Sequence, residues 1–216
     1  MKKLLNIFFV VCGFSSFAQE VYFSTGKNFT QYNFHTLSTS ESIQLHSGTG
    51  NFYEVGILNP INDSPFLYSG AINLQEFNAG GGDMVSKYSW ASRYIGAKIT
   101  GYYPVIKSHC NCYNETSWNV LLFTSLNAST LLDGQQTINS SYYYTNNFYD
   151  LKNNPEFKGL FIQPSIGFQV RYSIFSYGAV SFGYSYHKAI NLFNTTTEKL
   201  GFSTHQIQFG IHLNTP

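Results

Sequence analysis

The chain has 216 residues, 43% of them hydrophobic, and a net charge of +1. That length suits one ordinary domain rather than two, and so small a charge gives no electrostatic reason to expect a nucleic-acid partner. Only 11% of residues are charged, against about 25% in soluble domains, while 17 Tyr and 20 Phe dominate an aromatic share of 18%, a balance that suits an outer surface meeting lipid.

Residues 1–18 read as a cleaved export signal. Lys2 and Lys3 supply the positive start, Leu4 to Val11 the short apolar core, and Ser16-Phe17-Ala18 the small residues before the cut. The mature domain is then 19–216. The apolar core is too short for a spanning helix, which takes about 20 residues. Cys12 raises a lipoprotein alternative, but Val11 stands before it where a small residue is wanted. No later window is apolar for long enough to span as a helix, so any membrane passage is made by strands.

From Gln19 onward, eight segments show period-2 alternation, at about 21–34, 50–58, 66–77, 88–101, 118–132, 159–173, 177–190 and 202–213. "NPINDSP" after the second and "IFS" after the sixth are short. "HTLSTSESIQLHSGTG" after the first and Asp133–Lys158 after the fifth are long. Short turns at one end and long loops at the other are the pattern of transmembrane barrels. "YYPVIKSHCNCYNETS" after the fourth segment is too long for that rule. It holds Cys110 and Cys112, a possible disulfide, though residues two apart close a strained ring. His109 beside them invites a soft-metal reading, but three residues so close rarely wrap one metal and no fourth ligand is visible. No metal or cofactor is expected. The loop after the fifth segment contains "NNFYDLKNNPEF", the one candidate for a short helical turn. Its "SSYYYTNNFYD" is Tyr-rich and nearly uncharged, a composition common at recognition surfaces, with Tyr142, Tyr143, Tyr144, Phe148 and Tyr149 as candidate contacts.

A soluble barrel and a membrane barrel share this alternation, and the polar face separates them. In "GAVSFGYSYHK", Val180, Phe182, Tyr184 and Tyr186 alternate with Ser181, Gly183, Ser185 and His187. In "FIQPSIGFQVRY", Ile162, Ile166, Phe168, Val170 and Tyr172 alternate with Gln163, Ser165, Gly167, Gln169 and Arg171, and Pro164 predicts a local break in the ladder. Gly, Ser and Gln make a crowded lumen, not a solubilising exterior. The apolar phase then faces lipid. In the closing "QIQFGIHLN", Ile207, Phe209, Ile211 and Leu213 point outward while Gln206, Gln208, Gly210 and His212 point inward. Aromatics near strand ends, among them Tyr22, Tyr32, Tyr68, Phe77, Trp90, Tyr102, Tyr103, Trp118, Phe161, Tyr172 and Tyr177, are expected at the lipid–water interfaces.

With signal, eight amphipathic strands, loop asymmetry and closing strand in place, the chain resembles the small eight-stranded outer-membrane barrels of Gram-negative bacteria, of the OmpX and OmpA-barrel type. "VYFSTGKNFTQYNF" and "DLKNNPEFKGLFIQPSIG" look like a poorly characterised group within it. One departure is the strand end: Leu213 followed by Asn214-Thr215-Pro216 stands where such barrels carry a terminal aromatic. The resemblance implies an all-β fold, an eight-stranded antiparallel transmembrane up-and-down β-barrel, in the outer membrane.

Glu54, Lys98 and Arg171 fall on the inward phase, where charges must find partners. One lumen network of Glu54, Lys98 and Arg171, touching His187 or His212, is expected to plug and rigidify the barrel. The resemblance to OmpA-type barrels also allows an ion gate. Lipid A deacylases of similar architecture carry a His-x-Ser pair, and none of the six histidines starts one. The chain is read as a monomer and not an enzyme, with a structural or surface-interaction role. Its partners are outer-membrane lipid and a surface ligand or envelope protein. An accessory barrel of a secretion apparatus, resembling the PorT type, is the alternative, with a lipid-modifying enzyme behind it.

Overall fold

The computed structural model describes residues 20–35, 44–61, 64–82, 86–108, 117–140, 145–175, 177–192 and 199–214. Residues 1–18, read above as an export signal, and Cys110, Cys112, Tyr142, Tyr143 and Tyr144 lie outside the described residues. Nearly everything described is strand: β1 (Glu20–His35), β2 (Gln44–Pro60), β3 (Leu67–Gly82), β4 (Ser86–Lys107), β5 (Ser117–Ser140), β6 (Thr145–Asp150), β7 (Leu160–Phe175), β8 (Gly178–Asn191) and β9 (Lys199–Asn214). Neighbours pair antiparallel in the order β4-β3-β2-β1-β9-β8-β7-β5, and β5 pairs back onto β4. These eight strands close into the expected up-and-down barrel. β6 is an addition that pairs only with the far end of β5. Closure leaves the eight with no free edge in the hydrocarbon, where an unpaired backbone group would cost several kcal/mol.

Alternation sets the two faces. Along β9, Ile207, Phe209, Ile211 and Leu213 are exposed while Gln206, Gln208, Gly210 and His212 are buried. β9 closes the barrel against β1 from Glu20↔Asn214 to His35↔Lys199. Ile72, Ile99 and Ile166 are 66%, 71% and 67% exposed on other strands. A whole wall of bare isoleucine, leucine and phenylalanine is unstable in water and suited to lipid. Tyr68, Tyr103, Trp118, Tyr172 and Tyr177 are exposed near the end that carries both termini, forming the interfacial girdle expected there. At Pro164, β7–β8 pairing passes from Ile162↔Ile190 to Ser165↔His187, skipping Gln163 and the proline, which has no N–H.

Two expectations need correction. Tyr22, Tyr32, Phe77, Trp90, Tyr102 and Phe161 are not at lipid interfaces but buried in the lumen. Near a strand end the barrel interior must still be filled, and a large ring fills it as readily as it anchors in headgroups. The strands also run longer than their apolar alternation. β5 continues to Ser140 and returns as β6, so Asp133–Lys158 is a hairpin and a 3₁₀ turn at Leu151–Asn153 rather than one loop. The long connection after the fourth segment shrinks likewise, because β4 persists to Lys107, with an irregularity between Pro104 and Ile106.

Candidate functional site: a filled lumen and an outer hairpin

The charged residues of the lumen form two groups, not one network. In the middle, Lys98 Nζ meets Glu54 Oε2 at 2.6 Å. The Tyr22 hydroxyl donates to Glu54 Oε1 at 3.0 Å, and Lys98 Nζ stands 5.5 Å from the centre of the Phe52 ring. At the terminus end, Arg171 pairs with Glu20, and His212 Nδ1 lies 2.5 Å from Glu20 Oε1. The Tyr22 ring stacks on His212 at 5.5 Å and so touches both groups. His187 joins neither; its Nε2 bonds Ser185 Oγ at 2.7 Å. Glu20 was missed in the sequence because it is the first residue of β1, just before the stretch whose alternation is readable. Its phase was visible, since Glu20, Tyr22 and Ser24 share the inward face.

Around the middle pair the lumen is packed with amides and hydroxyls. Asn73 donates to Asn127 at 2.9 Å, Gln163 donates to Ser129 at 3.0 Å, and the Ser125 and Ser165 hydroxyls hydrogen-bond to each other. These pairings satisfy part of the buried polar atoms; Asn73 Oδ1, Gln75 Nε2 and Thr100 Oγ1 are buried without a protein partner.

Ser181 Oγ lies 2.8 Å from His212 Nε2, so Ser181, His212 and Glu20 share the connectivity of an acyl-transfer triad. The surroundings do not suit that chemistry. Ser181 is 4% exposed, and a Cβ on Gly210 would stand 2.5 Å from its Oγ, so the space an acyl group needs is filled. The strand N–H groups are committed to the ladders, leaving no backbone oxyanion hole. The cluster ties β1, β7, β8 and β9 together. Among the described residues no group of three or more His, Cys, Asp or Glu is placed to hold a metal.

The far end is packed with rings. Tyr32, Phe77, Trp90, Tyr94, Phe161 and Phe202 form one buried cluster, with Leu151 and Phe157 pressed into it from the segment between β6 and β7. The sequence explains how that segment turns inward. Asp150 caps the 3₁₀ turn by accepting from Lys152 N at 2.8 Å. Gly134 leaves room for Leu151, whose Cδ1 would lie 2.8 Å from an added Cβ. Asn191 Nδ2 then donates to the Lys158 carbonyl at 2.8 Å, and Gly159, at φ +111°, turns the chain into β7.

A polar seam crosses five strands on the outer wall. Lys27 donates to Asn51 at 2.6 Å, Asn51 to Glu76 at 2.7 Å, and Arg93 lies 3.3 Å from Glu76 and 3.4 Å from Asp133. On β2, β3 and β4 it stands just beyond the outward-facing Tyr53, Leu74 and Ile95. Beyond it rises the β5–β6 hairpin, with Phe148 63% and Tyr149 50% exposed.

No protein-family model matches the sequence, and no curated protein matches it. The chain aligns over most of its length with several solved structures. Neisserial surface protein A shares 13% identity, with 90% of this chain and 97% of that one covered, at a TM-score of 0.42. OprG of Pseudomonas aeruginosa shares 9%, with 92% and 97% covered, at 0.46. The attachment invasion locus protein Ail of Yersinia pestis shares 10%, with 91% and 100% covered, at 0.38.

Proposed function

We propose that this integral outer-membrane β-barrel is a sealed, non-enzymatic interaction protein, which works through its outer hairpin and not through its lumen. The observation that carries the reading is the hairpin. β5 and β6 extend past the polar seam, and they present Asn147, Phe148, Tyr149 and Asp150 exposed to water. Aromatics so placed lie outside the lipid belt and outside the core, so burial against neither explains them. The lumen supports the sealed half of the reading: two ionic groups, a hydrogen-bonded amide layer and an aromatic plug fill it from end to end. Eight strands leave an interior just wide enough for side chains, and open channels need about 16.

Complementation tests the role. The full chain should rescue an envelope or adhesion defect of a deletion strain, while a chain with residues 136–149 replaced by a tight turn should fold and fail to rescue. Equal rescue by both would assign a purely structural role. Planar-bilayer recording tests the alternative ion gate: channel events in wild type or in Glu54→Ala would favour it over the plug.

A further inference from the structure

A cleft of about 400 Å³ opens where β6 leaves β5, lined by Asp133, Gln135, Phe148, Tyr149, Asp150 and Lys152. Its volume is that of a small-ligand site. Register places its chemistry on one face. Gln135 pairs with Asp150 and Thr137 with Phe148, so Gln135, Asp150 and Phe148 project from the same side of the hairpin. Asp133 shares that side, two residues before Gln135, and is fixed there by Arg93 at 3.4 Å.

We propose that this cleft is a binding site for an uncharged saccharide of about disaccharide size, an inference that rests on the surface-interaction reading and names its ligand class. Charge balance selects against ions. Asp133 is matched by Arg93 and Asp150 stands beside Lys152, so neither a polyanion nor a polycation is drawn in. A lipid tail is selected against by two carboxylates, an amide and an ammonium in so small a space. A sugar ring meets both demands. Its C–H face lies on the exposed Phe148 ring, which loses little conformational freedom on binding. Its hydroxyls, each donor and acceptor, donate to Asp133 and Asp150, accept from Lys152, and do both with Gln135. The cleft stands immediately beyond the polar seam. The saccharide can therefore come from a glycolipid headgroup of the same membrane or from a glycan outside the cell.

The test uses the full mature barrel, folded in a zwitterionic detergent that carries no sugar. Saturation-transfer NMR is recorded with maltose, lactose, cellobiose and chitobiose, and with a sulfated disaccharide as the charged control. At least one neutral disaccharide should bind with a dissociation constant of about 1 mM. Phe148→Ala and Asp150→Asn should each weaken it about tenfold, with heat-modifiable migration unchanged, while Tyr177→Ala at the opposite end should leave it unaltered. Oligosaccharide freed from the host strain's own glycolipid separates the sources: competition assigns the ligand to the same membrane, and its absence to outside. No transfer to any neutral disaccharide, transfer indifferent to both cleft variants, or preference for the sulfated probe overturns the saccharide site. The hairpin's role in complementation would stand through any of these, so the two failures are distinct.

Discussion

Lys98 Nζ lies 2.6 Å from Glu54 Oε2 in the middle of the barrel, with the two side chains 3% and 2% exposed. Removing one partner of such a pair leaves a buried charge alone, at a cost of about 3–5 kcal/mol. Glu54→Gln and Lys98→Met should each lower the urea stability of the micelle-folded barrel by about that much. The double variant should lose much less than the sum, because it leaves no lone charge and keeps an acceptor for the Tyr22 hydroxyl. Additive losses would mean that the two side chains act independently.

Glu20 is the hub of the second group, holding Arg171 and His212 at once. Glu20→Gln removes the carboxylate that faces both, while Ser181→Ala removes a single hydrogen bond to His212. The first should cost about 2–3 kcal/mol and the second about 1. Amide hydrogen exchange gives a local readout. In Glu20→Gln it should speed up at the terminus ends of β1 and β9, which pair through Glu20↔Asn214 and Tyr22↔His212. Unchanged exchange there would remove the group's role in holding the closing seam.

Strand phase was legible because lipid and lumen impose opposite demands on alternate residues. Val180, Phe182, Ser181 and Ser185 each fall on the expected face. The outer strand ends were not legible. Beyond the polar seam the outer face of a strand no longer meets lipid, and "GQQTINS" at the end of β5 is polar on both phases but for Ile138, so it carries no alternation, though its ladder to β4 continues from Gly134↔Ser92 to Ser140↔Ser86. The same blindness hid β6. Ring identity was ambiguous for another reason: an interior plug and a headgroup anchor both call for an aromatic near a strand end. Only phase distinguishes Tyr102, which is buried, from Tyr103, which is exposed. Of the lumen charges, Glu54 and Lys98 were recoverable as partners from their inward phase. The division into two groups was not, because it depends on register across strands distant in sequence.

Phe157 is 1% exposed and touches Tyr32, their ring centroids 5.9 Å apart. It anchors a segment outside the barrel ladder, so its loss should open that segment without unfolding the strands. Phe157→Ala is expected to cost about 3–5 kcal/mol of docking. Protease added to intact cells should then cut within residues 141–159 much faster than in wild type, while the barrel keeps its heat-modifiable migration. Loss of the folded barrel together with the segment would make the plug part of the global core instead.

Phe209 and Gln208 are adjacent on β9 and face opposite solvents, at 48% and 7% exposure. Arginine at 209 puts a charge into lipid near mid-depth, at a cost of about 2–4 kcal/mol. Arginine at 208 enters a lumen already lined by Gln206, Ser181 and Ser24, where polar partners are at hand and the main cost is crowding. Phe209→Arg should therefore reduce insertion into vesicles far more than Gln208→Arg, measured as the heat-modifiable fraction after folding from urea. The contrast should be greatest in thick bilayers, where the arginine cannot reach the headgroups by snorkelling. Equal losses, or a greater loss at 208, would mean that the apolar wall does not face lipid.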